Sequence, residues 1–175
     1  LELRPDSFLG VPGLTHAVRS GNVAVANALG TGVLETPALA AFLPRLCKDL
    51  VGEDLRLESV PTWWCGDPDA LRYVLDHLDR LVVKPAFPAV RGEPVFPADQ
   101  SAADRAALVA KLTHHGRDFV AQARLDLSTA PVLSNGSLAP RKMVLRAYLA
   151  ADPAARSGVT VMPGGLTRVS AAPDA

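Results

Sequence analysis

The 175-residue chain is 49% hydrophobic and 21% charged, which argues against wholesale disorder and suits one compact domain or two small lobes sharing a cleft. Eighteen basic residues balance eighteen acidic ones, so the sequence carries no electrostatic footprint for nucleic acid or an anionic membrane. Cys47 and Cys65 are too few for a disulfide framework or a four-cysteine zinc site, and no apolar run approaches the ~20 residues of a membrane span, so a reduced, cytoplasmic setting is expected.

Residues 1–21 mix turn signals, "GVPG", with a short helical phrase, "LTHAVRSG", that Gly21 closes. "NVAVAN" reads as a strand, and a glycine loop follows it. Thr36 before Pro37 reads as an N-cap with proline at the first helical position. The helix "PALAAFLPRLCKDLVG" has Leu39, Phe42, Leu43, Leu46 and Leu50 near helical spacing and stops at Gly52, and Pro44 should kink it or split it. "LRLESVPTWWCG" reads as extended. "DPDALRYVLDHLDR" is an amphipathic helix with Asp67 as N-cap, Pro68 at N1 and Leu71, Val74, Leu75 and Leu78 on one face. "LVVKPAF" is a strand ended by its proline, and the Pro- and Gly-rich segment to 100 reads as a mobile loop or small hairpin. A helix from about 102 to 115 ends at Gly116. "DFVAQARLDL", a loop "STAPVLSNGSLAP", the strand "RKMVLRAYLA" and a hairpin partner, "GVTVMPGGLTRVS", follow. Helices interleave with strands first, and the second half is strand-rich.

Several stretches carry chemistry, each with a plainer reading beside it. "NALGTGVLE" has the layout of a phosphate-binding turn, in which a glycine loop between strand and helix aims backbone N–H groups at an anion. It lacks the third glycine of a dinucleotide fingerprint and the GK[ST] of a P-loop, and is equally a plain tight turn. Lys84 ends a strand, where α/β folds hold ligands and one ammonium can meet a phosphate; it is also a common kind of solvated edge charge. Trp63 and Trp64 point to opposite sides of a strand and read as an aromatic plug, and no signature marks Cys65 as a nucleophile. His114 and His115 diverge on a helix end and cannot chelate one metal. Arg141, Arg146 and Arg168 either line a phosphate cleft or decorate exposed strand faces.

The phrases "LGVPGLTHAVRSGNVAVANALGTGVLE", "TWWCG", "LDRLVVKPAF", "FVAQARLDLSTAPVL", "PRKMVLRAYLA" and "VMPGGLTRVS", in this order, resemble the circularly permuted ATP-grasp family, distant relatives of glutathionylspermidine synthetase. The resemblance implies an α+β fold of two small lobes with a nucleotide cleft between them, and an ATP-dependent carboxylate–amine ligase that works through an acylphosphate on a small or peptide-like substrate. It implies ATP and Mg²⁺ as cofactors. Lys84 matches the strand lysine that contacts the nucleotide phosphates. Gln122, with the backbone near Ala123 and Arg124, matches the adenine hinge. Arg146 and Arg168 resemble cleft-facing catalytic cations. Gly30 and Gly32 resemble the phosphate side and Asn27 the metal side, although Asn27 alone cannot hold Mg²⁺ and the nearby acids Glu2, Asp6 and Glu35 have no assigned place. The implied organisation is 1–81 as part of the larger lobe, 82–130 as the nucleotide-binding lobe with a lid over 85–100 and a hinge near 119–125, and 131–175 as the return to the larger lobe. A chain that begins without Met is expected to be a piece of a longer protein, inactive by itself. The alternative is a degenerate domain kept for nucleotide binding or scaffolding.

Overall fold

Residues 10–134 and 136–170 are described in the computed structural model of the chain, so Glu2 and Asp6 fall outside it. Two compact units divide between Arg124 and Leu125. This division leaves the strand at Leu81 in one unit with the described residues before it.

The first unit is built on a three-stranded antiparallel sheet of β1 (Thr62–Trp64), β2 (Leu81–Pro85) and β3 (Phe119–Ala123), in the order β1-β3-β2. Helix α3 (Pro68–Asp76) connects β1 to β2, and α4 (Ala102–His115) leads to β3. Both helices start where the sequence says they should. Asp67 accepts from the backbone N–H groups of Asp69 and Ala70 at 2.8 and 3.0 Å, ahead of Pro68 in the first turn. Ser101 accepts from the Asp104 N–H at 3.1 Å.

Strand alternation sorts the sheet into two faces. Leu81, Val83, Phe119 and Ala121 lie in one cluster with Val74 and Leu78 from the α3 side and Leu108 and Leu112 of α4, and Trp63 packs beside them. The opposite face carries Thr62, Trp64, Val82, Lys84, Val120 and Gln122, as the register Thr62↔Gln122, Trp64↔Val120 and Lys84↔Val120 requires. The two tryptophans therefore do diverge. Trp63 stacks on Tyr73 at 4.6 Å, while Trp64 packs with Ala38, Ala86 and Val120.

Before the sheet come α1 (Leu14–Arg19), a 3-10 turn at Thr31–Glu35, a second at Pro37–Ala41, and α2 (Leu43–Val51). Pro44 does split the expected helix in two, and Gly52 closes α2 in a left-handed conformation at φ 77°. Two expectations are corrected here. "NVAVAN" forms no strand, because no neighbouring strand pairs with it. Thr36 makes no side-chain cap, and its carbonyl, not its hydroxyl, accepts from the Leu39 N–H.

Gly116 follows α4 with right-handed backbone angles (φ −50°, ψ −37°), so it does not end the helix by left-handed freedom. A Cβ there would collide with the carbonyl oxygen of Cys65, at the end of β1. Gly116→Ala should therefore cost about 1–3 kcal/mol by overpacking, read as a lower urea midpoint. An unchanged midpoint would mean that the end of α4 can move off the strand.

The second unit holds β4 (Thr129–Ser134), β5 (Ser137–Arg146) and β8 (Leu166–Val169) in the order β4-β5-β8, with a separate hairpin of β6 (Leu149–Ala151) and β7 (Val159–Val161). The expected loop "STAPVLSNGSLAP" is thus a hairpin, paired from Thr129↔Lys142 to Ser134↔Ser137. Its prolines, Pro131 and Pro140, lie opposite each other where β5 has not yet met β8. No described residue of this unit is buried.

Candidate functional site

The register places Lys84 and Gln122 diagonally across two adjacent strands, on the face away from α3 and α4. The Lys84 Nζ donates to Gln122 Oε1 at 2.6 Å. Gln122 Nε2 donates to Thr62 Oγ1 at 3.0 Å, and that hydroxyl donates to the Val60 carbonyl at 2.8 Å. This relay orients the Gln122 amide and aims its oxygen at the ammonium. Burial pushes the Lys84 pKa below the ordinary lysine value, since the charged form is partly desolvated. Gln122 is neutral, and among the described residues no carboxylate forms an ion pair with Lys84. The site is a half-buried cation held in place by a neutral amide, with donor capacity left over.

Lys84 lines a cavity of about 330 Å³ together with Glu35, Pro37, Pro85, Phe87, Pro88, Val90, Gly92 and Pro94. The stretch "NALGTGVLE" thus does meet "LVVKPAF", but through Glu35 at its end and not through its glycines. Gly30 is left-handed at φ 93° before the 3-10 turn, and Asn27, at φ 64°, is the one described non-glycine residue with positive φ. Neither they nor Gly32 line the cavity. The strand–loop–helix layout behind the phosphate-turn reading is also absent, since no strand precedes the loop and only five residues of 3-10 helix follow it. Glu35, unplaced by sequence, is the acidic residue on the cavity wall. Its position became readable only once the 3-10 turns were laid against the sheet.

The remaining site residues divide between the two units. In the first, the N–H groups of Ala123 and Arg124 are already engaged, donating to Pro61 O and Arg80 O at 2.9 Å each. The Arg124 guanidinium pairs with Asp99 at 3.2 Å and lies 5.4 Å from the Phe96 ring centroid. It therefore ties the end of β3 to the end of the 85–100 segment. That segment is less free than its composition implies. Val83 and Val95 exchange both backbone hydrogen bonds, Ala86 and Pro97 are buried, and within 87–94 the Val90 N–H donates to Phe87 O at 3.0 Å. In the second unit, Arg146 lies opposite Leu166 and Arg168 opposite Val144, so alternation puts both guanidinium groups on one exposed face, which Lys142 shares.

Cys65 is 2% exposed, and burial raises its thiol to about 11, so it is not poised as a nucleophile. Among the described residues no group of three or more His, Cys, Asp or Glu converges, and Asn27 offers one neutral oxygen. The described donors do not make up a Mg²⁺ set. A phosphate, by contrast, suits Lys84.

The chain belongs to the circularly permuted ATP-grasp type 2 family, whose model matches residues 1–170. It is 39% identical over 167 residues to "Uncharacterized protein sll0335" of Synechocystis sp., covering 95% of this chain and 34% of that protein. It is 37% identical over 170 residues to "Uncharacterized protein Rv2411c" of Mycobacterium tuberculosis, covering 97% of the chain and 30% of the relative. "Uncharacterized protein Rv2567" of the same organism is 35% identical over 171 residues, covering 98% and 19%. The chain thus spans about a third or less of the length of these relatives. The mixed helix and sheet is the ATP-grasp-like α+β fold. No described helix is long and apolar enough to cross a membrane.

Proposed function

We propose that the Lys84 cavity holds phosphate oxygens of ATP in a carboxylate–amine ligase. The observation that carries this reading is the half-buried Lys84 ammonium, which opens on a cavity and, among the described residues, bonds a neutral amide and no carboxylate. An anion entering there gains a charge-assisted contact and relieves a desolvated charge. In the reaction, a substrate carboxylate oxygen attacks the γ-phosphorus and ADP leaves. An amine nitrogen then attacks the acylphosphate carbonyl, forming an amide bond and releasing phosphate. Lys84 contributes positioning and charge, which is most of what phosphoryl transfer asks of a protein. Gln122 positions Lys84. Arg146 and Arg168 are proposed to contact phosphate or substrate, Gly30, Gly32 and Asn27 to flank the site, and the backbone at Ala123 and Arg124 to face the base. The substrate is peptide-like and the setting cytoplasmic.

The test is ADP release by the intact protein that requires a carboxylate, with hydroxylamine trapping the activated acyl group as a hydroxamate. This 175-residue chain alone should show no turnover. ATP binding without ADP release under any carboxylate would favour the second reading, a nucleotide-binding or scaffolding module. The engaged N–H groups of Ala123 and Arg124, which are not free to bond a base, favour its scaffolding form.

A further inference from the structure

A second cavity, of about 240 Å³, adjoins the first and shares Phe87 as a wall. Val33, Leu39, Phe42 and Trp64 line it, and Thr36 is the polar residue among them. Its walls are fixed. The Trp64 Nε1 donates to the Arg117 carbonyl at 2.9 Å, Phe42 packs on the indole at 6.1 Å, and the Ala38 N–H donates to Ala86 O at 3.1 Å. Yet Phe42 is 44% and Val33 63% exposed, so apolar surface stands open to solvent at the mouth.

We propose that this cavity takes the hydrophobic side chain of the carboxylate substrate, a branched alkyl or aryl group whose acid lies toward Lys84. This rests on the reading of Lys84 given above and adds the class of acid. Size permits it, since an apolar cavity of roughly 150 Å³ accepts a benzene ring. Charge complementarity supplies the polarity: Phe87 lines both this apolar cavity and the one that holds the Lys84 cation, an arrangement that matches an amphipathic anion. A purine base fits less well. Its ring nitrogens and amino group would face hydrocarbon with one hydroxyl to bond, leaving polar edges desolvated and unpaired.

The test uses the intact protein and its tryptophan emission, to which Trp64 contributes from the cavity wall. N-acetyl-phenylalanine and N-acetyl-leucine should bind about tenfold or more tightly than N-acetyl-glycine, as a filled apolar pocket warrants. Val33→Phe, which fills the cavity from its exposed rim, should abolish that preference and leave ATP affinity by calorimetry unchanged. Equal binding of the three acids, with ATP binding intact, overturns this inference alone. Displacement of N-acetyl-phenylalanine by adenosine makes the cavity a base site and overturns it as well. A Val33→Phe variant that keeps the preference overturns the inference too, since the side chain then binds outside this cavity. Loss of the link between ATP and Lys84 is a different result, and removes the parent reading instead.

Discussion

Lys84→Ala should weaken ATP binding by about ten- to hundredfold while the fold is retained. A hydrogen bond to a charged group contributes roughly 1.5–3 kcal/mol, and each ~1.4 kcal/mol is a factor of ten. The fold should survive because the Lys84 ammonium holds no ion pair among the described residues and bonds only Gln122, which keeps Thr62 as a partner. Lys142 is a poor control, since it shares the Arg146 and Arg168 face. Lys48, an exposed lysine 3.6 Å from Asp54, is a better one, and Lys48→Ala should leave affinity unchanged. Equal affinities of wild type and Lys84→Ala would place the nucleotide elsewhere.

The same side chain predicts a pH effect. Burial lowers the Lys84 pKa in the folded protein, so its protonated form opposes folding at neutral pH. That cost disappears as pH rises from the lowered value to the ordinary lysine value of the unfolded chain. A bound phosphate favours the protonated form and raises the pKa again. ATP binding at pH values between the free and bound pKa should therefore take up a proton. Calorimetry in two buffers of different ionisation enthalpy measures it, and Lys84→Ala should abolish it.

Leu112→Ala should cost about 2–5 kcal/mol of stability. Leu112 is fully buried, one turn along α4 from Leu108, in the cluster formed with Val74, Leu78, Val83 and Ala121. Truncation leaves a void between a helix and the back of a sheet, neither of which can easily collapse to refill it. Urea unfolding should show a lower midpoint with an unchanged slope. Leu57→Ala, at a position 86% exposed, should change little by comparison. A Leu112→Ala cost as small as that of Leu57→Ala would mean that α4 does not pack on the sheet as described.

Helices α3 and α4 were readable in the sequence because their signals are local: Asp67, Pro68 and the apolar spacing of Leu71, Val74, Leu75 and Leu78 for α3, and the stop at Gly116 for α4. β2 and β3 were readable because each is a short apolar run bounded by turn residues. The hairpin of Thr129–Ser134 and Ser137–Arg146 is not evident from strand propensity, although the sequence carries Asn-Gly, a favoured hairpin signal, between the two runs. Pro131 and Pro140 hid it, being tolerable only where a neighbouring strand does not need their N–H. "NVAVAN" was misread for the opposite reason. Its residues have strand propensity, but a strand exists only with a partner, and propensity does not reveal one.

The sequence alone offered Lys84, at the end of a strand, as a candidate phosphate cation. What tertiary structure decided was its company. Thirty-eight positions separate Lys84 from Gln122, and only the antiparallel register of β2 and β3 sets both on one face, 2.6 Å apart. Gln122, expected at the adenine hinge, accepts a hydrogen bond from that ammonium. Glu35 reaches the cavity from the end of the first 3-10 turn and Phe87 from the chain just after β2, whereas Gly30, Gly32 and Asn27 do not line it. Alternation along a strand is written in sequence, but the pairing that brings two alternations together is a long-range event, fixed by how the sheet buries its other face on α3 and α4.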